Sequence, residues 1–474
     1  MKSLLPLLLV AAVMVGLVAC NGGSKAANQE ERDSTYTQVK HPDWSRNAVI
    51  YEVNLRQFTD SGSITAFGEQ LPRLKELGVD ILWFMPINPI SEKDRKGTLG
   101  SYYAVRDYKA FNPEFGTIDQ FKDVVKKAHE LGMKVILDWV PNHSGRDNVW
   151  VTEHPDWYEK DSLGNMMGIY DWTDVYVFDY NNPEMRKGMI DAMKFWLTDV
   201  DVDGFRCDVA GEVPTDFWEE ARPELQAAKA DLFMLAEASK PELQRICFDM
   251  GYNWPMKDLF SEIAATSGFY TFRDKDGNMR QFPVKHAAAI DSLLAEQAKT
   301  YPRDCYLMNM ITNHDLNSWE GTEFERLGQL SQAFAVLTYT LPGMPLIYTG
   351  QETGMNRAFE FFEKDKAPEW EPRNEYFTFY QKLNNLKHSQ EALAAGEAGG
   401  EIVRYATVSP DVYAFSREKG DSRLVVIVNL GKEEAKVEFT GDKPDVSGLV
   451  EYFNGTEGQL PASLLPGAYT VMVK

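Results

Sequence analysis

The chain has few cysteines, too few basic residues to balance its acids and almost no long apolar runs, and each shortage removes a class of answers. Cysteine occurs four times in 474 residues. Beyond Cys20 only Cys207, Cys247 and Cys305 remain, widely spaced in or beside apolar runs. An odd number at such spacing builds no disulfide framework, and each reads as a small buried hydrophobe. No Cys/His pattern has metal-ligand spacing. Lysine and arginine number 49 against 71 aspartate and glutamate, a formal net charge of −22. Nucleic-acid binding depends on basic residues that neutralise phosphates, so this balance argues against it. The acidity supports solubility and says nothing positive about a neutral ligand. The one long apolar run, Leu4 to Val18, is shorter than a membrane span needs. No internal repeat is visible, and 44% hydrophobic with 12% aromatic content excludes global disorder.

That first run has the form of a secretory signal peptide, with Lys2 ahead of it and Leu17-Val18-Ala19-Cys20 at its end. The small residue before Cys20 resembles the bacterial lipoprotein cleavage box, which would leave Cys20 as a lipidated N-terminus. The alternative is an ordinary signal peptide with an incidental cysteine. Residues 21–43 are polar and read as a flexible tether. The expectation is an exported lipoprotein anchored at a membrane, on a periplasmic or cell-surface face that the residues do not distinguish. Oligomeric state is unreadable.

From residue 44 onward, strand-like and helix-like runs alternate as a parallel α/β barrel requires. Predicted strands are Val49–Asn54, Val79–Phe84, Lys134–Asp138, a run ending at Asp208, Asp231–Glu237, Ile246–Tyr252, Cys305–Thr312 and Pro345–Tyr348. Predicted helices include Phe67–Leu77, Ile118–Leu131, Pro183–Val200 and Asn374–Lys387. A stretch at 144–181, rich in Trp, Asp and Gly, reads as a subdomain inserted after strand three. The barrel then comprises 44–143 and 182–392, and short alternating runs over 393–474 predict a C-terminal antiparallel β domain. Four of the strand-like runs end abruptly in charge: Leu137-Asp138 leading to Asn142-His143, Gly204-Phe205-Arg206-Cys207-Asp208, Leu235-Ala236-Glu237 and Thr312-Asn313-His314-Asp315. At the carboxyl ends of barrel strands such side chains converge on one mouth. Arg206 and Asp208 are two residues apart and share a face, while Cys207 points the other way.

In order and in content these four motifs resemble the signature regions of the α-amylase family of retaining glycoside hydrolases and transglycosylases. The likeness extends from Val49-Ile50-Tyr51-Glu52-Val53 to about Leu386. It implies a (β/α)8 barrel, an α-glucan substrate and a covalent glycosyl-enzyme. Matched position makes Asp208 the nucleophile, Glu237 the general acid/base and Asp315 a third acid that stabilises the transition state. Arg206 would hold Asp208 ionised, because a neighbouring positive charge lowers a carboxylate pKa. His143, His314 and Tyr103 match residues that bind the sugar before the scissile bond, and Asp138 matches a residue that braces Arg206. The likeness also implies calcium at Asn142 and Asp179, although either side chain equally suits a turn cap.

The sequence departs from the plain amylase pattern after the nucleophile, where Gly211 and Glu212 replace a Lys-His pair. Asp208-Val209-Ala210-Gly211-Glu212 is closer to the neopullulanase and cyclomaltodextrinase branch, yet that branch's N-terminal β domain is missing. Bond preference, endo or exo action, and hydrolysis against sugar transfer all stay open. A glycan-binding lipoprotein without catalysis is the rival from another class, and three intact acids weigh against it.

Overall fold

The computed structural model describes residues 35–273 and 278–474. The signal peptide, the lipidation site Cys20 and the tether up to residue 34 lie outside the described residues. Eight short strands, β1 (Ile50–Val53), β2 (Ile81–Phe84), β3 (Lys134–Trp139), β4 (Gly204–Cys207), β5 (Phe233–Ala236), β6 (Met250–Tyr252), β7 (Tyr306–Asn309) and β8 (Met344–Tyr348), close into one barrel. Neighbours pair in parallel all the way round, and β1 meets β8 with Ile50 opposite Leu346.

Two-residue alternation sorts the side chains of every strand. Ile50, Trp83, Ile136, Leu235, Met250 and Met308 fill the barrel interior, while Tyr51, Leu82, Leu137, Phe205 and Cys207 pack outward against the helices. Glu52 follows Ile50 on the inward phase, Asp138 follows Ile136, and Glu237 follows Leu235. The lumen therefore changes from apolar to ionic toward the carboxyl ends. Gly204 opens β4 where a Cβ would lie 1.7 Å from Phe233 O on β5. Only glycine lets the two strands approach there, directly below Arg206.

Local sequence explains the surrounding helices. Ile118–Glu130 begins with a capping box, since Thr117 Oγ1 accepts from Gln120 N and Gln120 Oε1 accepts from Thr117 N. Its Phe121, Val124, Val125 and Ala128 recur at helical spacing and are buried. The single helix expected over Phe67–Leu77 is instead two, Ile64–Gly68 and Leu71–Leu77. Pro72 lacks the N–H that a continuing helix needs but suits a fresh first turn. The second piece ends at Gly78, whose φ of 96° makes a left-handed cap.

The segment between β3 and β4 forms a small unit over the mouth. His143–Gly145 pairs antiparallel with Val175–Val177, and Tyr108, Trp150, Trp157 and Phe178 pack beneath it. The C-terminal sheet runs Ile402–Tyr405, Val412–Lys419, Ser422–Asn429, Tyr469–Val473 and Val450–Glu451, all antiparallel.

Several expected boundaries shift. The strand read as Ile246–Tyr252 starts at Met250, because Leu243–Ile246 is a helical turn. The strand read as Cys305–Thr312 spans Tyr306–Asn309; Met310 and Ile311 are apolar because the barrel rim remains buried. Residues 35–43, read as the end of a flexible tether, lie against the barrel floor. Thr37 N donates to Arg303 O, and the buried His41 bonds Asp249 through Nδ1 (2.9 Å) and Asp304 O through Nε2 (2.8 Å). Among the described residues no helix is long and apolar enough to cross a membrane.

Candidate active site

The ionic end of the lumen is organised around Arg206, which is fully buried on β4. Its Nη1 donates to Asp138 Oδ1 (2.8 Å) and to Asp208 Oδ1 (3.0 Å), and its Nε donates to Tyr252 OH (3.1 Å). Nη2 lies 2.9 Å from Glu237 Oε2, an ionic contact too poorly aligned to be a hydrogen bond. One guanidinium thus spans Asp208 and Glu237. Both acids sit just past their strands and extend the barrel ladder, with Asp208 N on Trp139 O (2.8 Å) and Glu237 N on Cys207 O (3.0 Å). The expected brace from Asp138 to Arg206 is present.

The electrostatics differ from the expectation for Asp208. Burial outweighs the pull of Arg206, and with Asp138 and Asp315 nearby it raises the carboxyl to about 6. The sequence shows the Arg206 partner, whose pull lowers the carboxyl as expected, but not the desolvation that outweighs it. Burial, reinforced by Asp208 and Asp315, lifts Glu237 further, to about 8, against the pull of Arg206. Burial also lifts Asp138 to about 6 despite Arg206. With three carboxyls on a single guanidinium, the site retains a proton at neutral pH, and Glu237 is the group that holds it most firmly.

A second chain of contacts borders the first. Tyr103 OH donates to Asp138 Oδ2 (3.0 Å) and lies 2.7 Å from His314 Nε2. His314 Nδ1 bonds Glu52 Oε1, and Asp315 Oδ1 is 3.4 Å from Nε2. Burial disfavours charge on His314, but Asp315 and Glu52 overturn that and raise it to about 9. His143 is also buried and has no such partner, so its imidazole falls to about 3 and is neutral. The two histidines expected to bind sugar therefore carry different charge.

All seven residues expected in catalysis or sugar binding converge at this mouth: Asp208, Glu237, Asp315, Tyr103, His143 and His314 line a cavity of about 490 Å³, and Arg206 lies beneath it. Sequence reasoning missed the aromatic walls. Tyr170 and Trp172 come from the small unit after β3; Trp319, Phe361 and Phe362 come from loops after β7 and β8. Trp319 is 61% exposed, on a π-helical turn (Leu316–Glu320), with its ring 5.3 Å from Phe361. Only its position four residues after Asp315 could have drawn attention to it. Glu52, within the first predicted strand, also escapes the sequence reading as a site residue. At the departure from the amylase pattern, the missing side chain of Gly211 makes room for Lys240, whose Nζ donates to Gly211 O.

The two residues expected to hold calcium are less convincing as a donor set. Phe178 N donates to Asn142 O (3.2 Å), so the two segments lie side by side. Asp179 Oδ1, however, accepts from both N and Nδ2 of Asn181 at 2.9 Å. Among the described residues no group of three or more His, Cys, Asp or Glu is arranged to hold a metal.

Known proteins are similar to this chain across most of its length. A family model described as the α-amylase catalytic domain matches residues 32–162 and 157–369. Neopullulanase 2 of Thermoactinomyces vulgaris is 29% identical over 488 residues, covering 90% of this chain and 77% of that protein. Alpha-amylase 3 of Dictyoglomus thermophilum is 25% identical, covering 93% of this chain and 95% of its own length. The crystal structure of a maltogenic α-amylase from Thermotoga neapolitana is similar with a TM-score of 0.73 at 29% identity, covering 90% of this chain and 96% of that one. An α-amylase from Lactobacillus plantarum gives 0.76 at 29% identity, covering 91% and 99%. With the barrel, the four motifs and this match in place, the chain belongs to the α-amylase family of glycoside hydrolases.

Proposed function

We propose that the protein hydrolyses α-glucosidic bonds in starch-derived oligo- or polysaccharides with retention of configuration, using Asp208 as nucleophile and Glu237 as general acid/base. The observation that carries the assignment is the shared Arg206 guanidinium, which fixes two inward carboxyls of unequal acidity beside one cavity. Retaining hydrolysis needs such a pair, one ionised and one protonated.

In the first step an Asp208 oxygen attacks the anomeric carbon, and the glycosidic C–O bond breaks. Glu237 gives its proton to the departing oxygen, leaving a glycosyl ester on Asp208. Glu237, now a carboxylate, takes a proton from water as the water oxygen attacks the same carbon. The ester breaks, Asp208 is released and Glu237 is protonated again. Asp315 binds ring hydroxyls, the charged His314 beside it adds its charge to that wall of the sugar site, and Tyr103 lies under the same sugar. Asp315 stabilises the positive charge that develops on that ring.

Product analysis tests this reading. Protein lacking residues 1–20 is incubated with maltoheptaose, cyclodextrin and pullulan beside Asp208→Asn. Shorter maltooligosaccharides or panose from the wild type alone support hydrolysis and identify the bond. Products longer than the substrate favour a transglycosylase, the second reading, which keeps the same fold and covalent intermediate. No product from any substrate contradicts both.

Two finer parts belong to the same reading. Calcium between Asn142 and Asp179 is supported by the adjacency of their segments; a chelator should then lower Tm, and an unchanged Tm contradicts it. Lipid anchoring through Cys20 is supported by the sequence before it. Cys20→Ala should release the protein from membranes, and a variant that stays bound contradicts the anchor.

A further inference from the structure

We infer that Glu52 is a positioning residue for this reaction: from β1 it holds His314 protonated on both ring nitrogens and terminates a hydrogen-bonded chain that runs through Tyr103, Asp138 and Arg206 to Asp208. The inference rests on the functional reading above for its catalytic consequence but not for the proton arrangement itself. Every link is a direct contact in the structure. Glu52 Oε1 meets His314 Nδ1, His314 Nε2 meets Tyr103 OH at 2.7 Å, and Tyr103 OH donates to Asp138 Oδ2 at 3.0 Å. Arg206 Nη1 then joins Asp138 Oδ1 (2.8 Å) to Asp208 Oδ1 (3.0 Å).

Donor accounting sets the direction of the chain. Tyr103 has one hydroxyl proton and gives it to Asp138, so toward His314 it must accept, and Nε2 must carry a proton. Nδ1 faces a carboxylate oxygen and carries one as well. His314 is therefore an imidazolium whose charge is matched by Glu52. The groups facing it on other elements agree. Asp315 beside it and Asp138 on β3 favour the charge, Arg206 on β4 opposes it, and the Trp83 ring on β2 packs edge-on at 6.0 Å. Asp315 is 37% exposed, so water screens its share, whereas Glu52 is fully buried and acts at full strength.

Glu52 is also poorly satisfied as a merely structural group. Its Oε2 is buried without a hydrogen-bond partner, and the carboxylate bears on Tyr252 and Tyr348 nearby. A buried carboxylate oxygen left unpaired is unfavourable, and proteins rarely retain one where packing alone is at stake. A glutamine would fill the same space without the charge.

That substitution is the test. In the wild type, His314 observed by NMR should remain protonated at pH 8; in Glu52→Gln it should titrate at or below the ordinary 6.5. On maltoheptaose, the alkaline limb of kcat in Glu52→Gln should move down by about a unit or more, with a loss of about tenfold at pH 8 and a smaller loss at pH 5.5. KM should change less than kcat. Glu52→Asp should restore part of the wild-type profile. An unmoved limb with His314 still protonated at pH 8 overturns the inference, as does an equal loss at every pH in Glu52→Gln and Glu52→Ala. If Glu52→Gln does not fold, Tyr103→Phe cuts the chain at its middle. The acid limb set by Asp208 should then shift while His314 stays charged, and an unmoved acid limb overturns the claim. A wild type inactive on every glucan would defeat the functional reading while leaving the NMR result to decide the proton arrangement.

Discussion

Val209, directly after Asp208, holds a φ of 37° and donates its N–H to Glu237 Oε2 at 2.8 Å. A β-branched residue in the left-handed region is strained, by about 1–3 kcal/mol. Here the strained peptide ties the loop of one acid to the carboxyl of the other. That N–H favours an ionised Glu237, as Arg206 does, and burial overrides both. The pair is thus fixed in geometry while its two acidities are held apart.

This separation predicts a bell-shaped pH profile. Activity needs Asp208 ionised and Glu237 protonated, so kcat/KM should rise through about 6 and fall through about 8. The two limbs belong to the coupled pair rather than to either residue alone. Glu237→Gln should move the alkaline limb up toward that of His314, about 9, and spare activated aryl glycosides most, because their leaving groups need no proton. Initial rates from pH 4 to 10 check both points; absent aryl rescue contradicts the role of Glu237.

Stability should respond to the same group. The folded state holds the Glu237 proton up to about 8, whereas an ordinary glutamate loses it near 4.5. The unfolded chain therefore binds fewer protons in that window, and wild-type stability falls as pH rises through it. Glu237→Gln lacks this loss. Its stability relative to wild type should grow between pH 5 and 8, by on the order of 3 kcal/mol, and its Tm relative to wild type should rise with it. Thermal unfolding across that range measures it, and a gap independent of pH contradicts the assignment.

The aromatic wall predicts a length preference. Phe361 lies nearly parallel to Tyr103 (12°, 6.5 Å) and leads on to the exposed Trp319. Sugar faces stack on such rings. Trp319→Ala should raise KM for maltoheptaose about tenfold and leave a single-glucose aryl glycoside unaffected, with Tm unchanged. Equal losses on both substrates would place Trp319 elsewhere in the mechanism.

Away from the mouth, Lys387 is fully buried and donates only to carbonyls, Gly343 O (2.8 Å) and Leu393 O. Burial and the nearby Arg417 hold its amine well below the ordinary lysine range. The unfolded chain binds that proton more readily, so stability rises with pH toward the ordinary value. Against Lys387→Met, the wild type should gain relative stability between pH 7 and 10. A difference in Tm that does not change with pH contradicts this.

Much of the site is legible in sequence because the barrel writes it plainly. An apolar run that ends in Asp208 or Glu237 announces both the strand and the acid at its tip. Residue spacing places Arg206 with Asp208 and turns Cys207 outward. Glu52 carries no such signal, since it interrupts the apolar run Val49–Val53 instead of ending it, and its partner His314 lies far along the chain. Trp319 is one aromatic among many until folding brings Phe361 and Phe362 beside it. The acidity of Asp208 depends on how deeply the barrel buries it, a tertiary quantity that the adjacent Arg206 conceals. The helix break at Pro72 was readable, whereas the turn before β6 was hidden by an apolar run of similar composition.

The central claim is that Asp208 forms a covalent bond to the substrate. Glu237→Gln incubated with a fluorinated α-glucosyl fluoride should gain the mass of one glycosyl group, because fluoride leaves without acid help and the second step is slowed. Peptide mapping should place that mass on Asp208, and Asp208→Asn should gain none. No adduct, or an adduct on any other residue, would contradict the account.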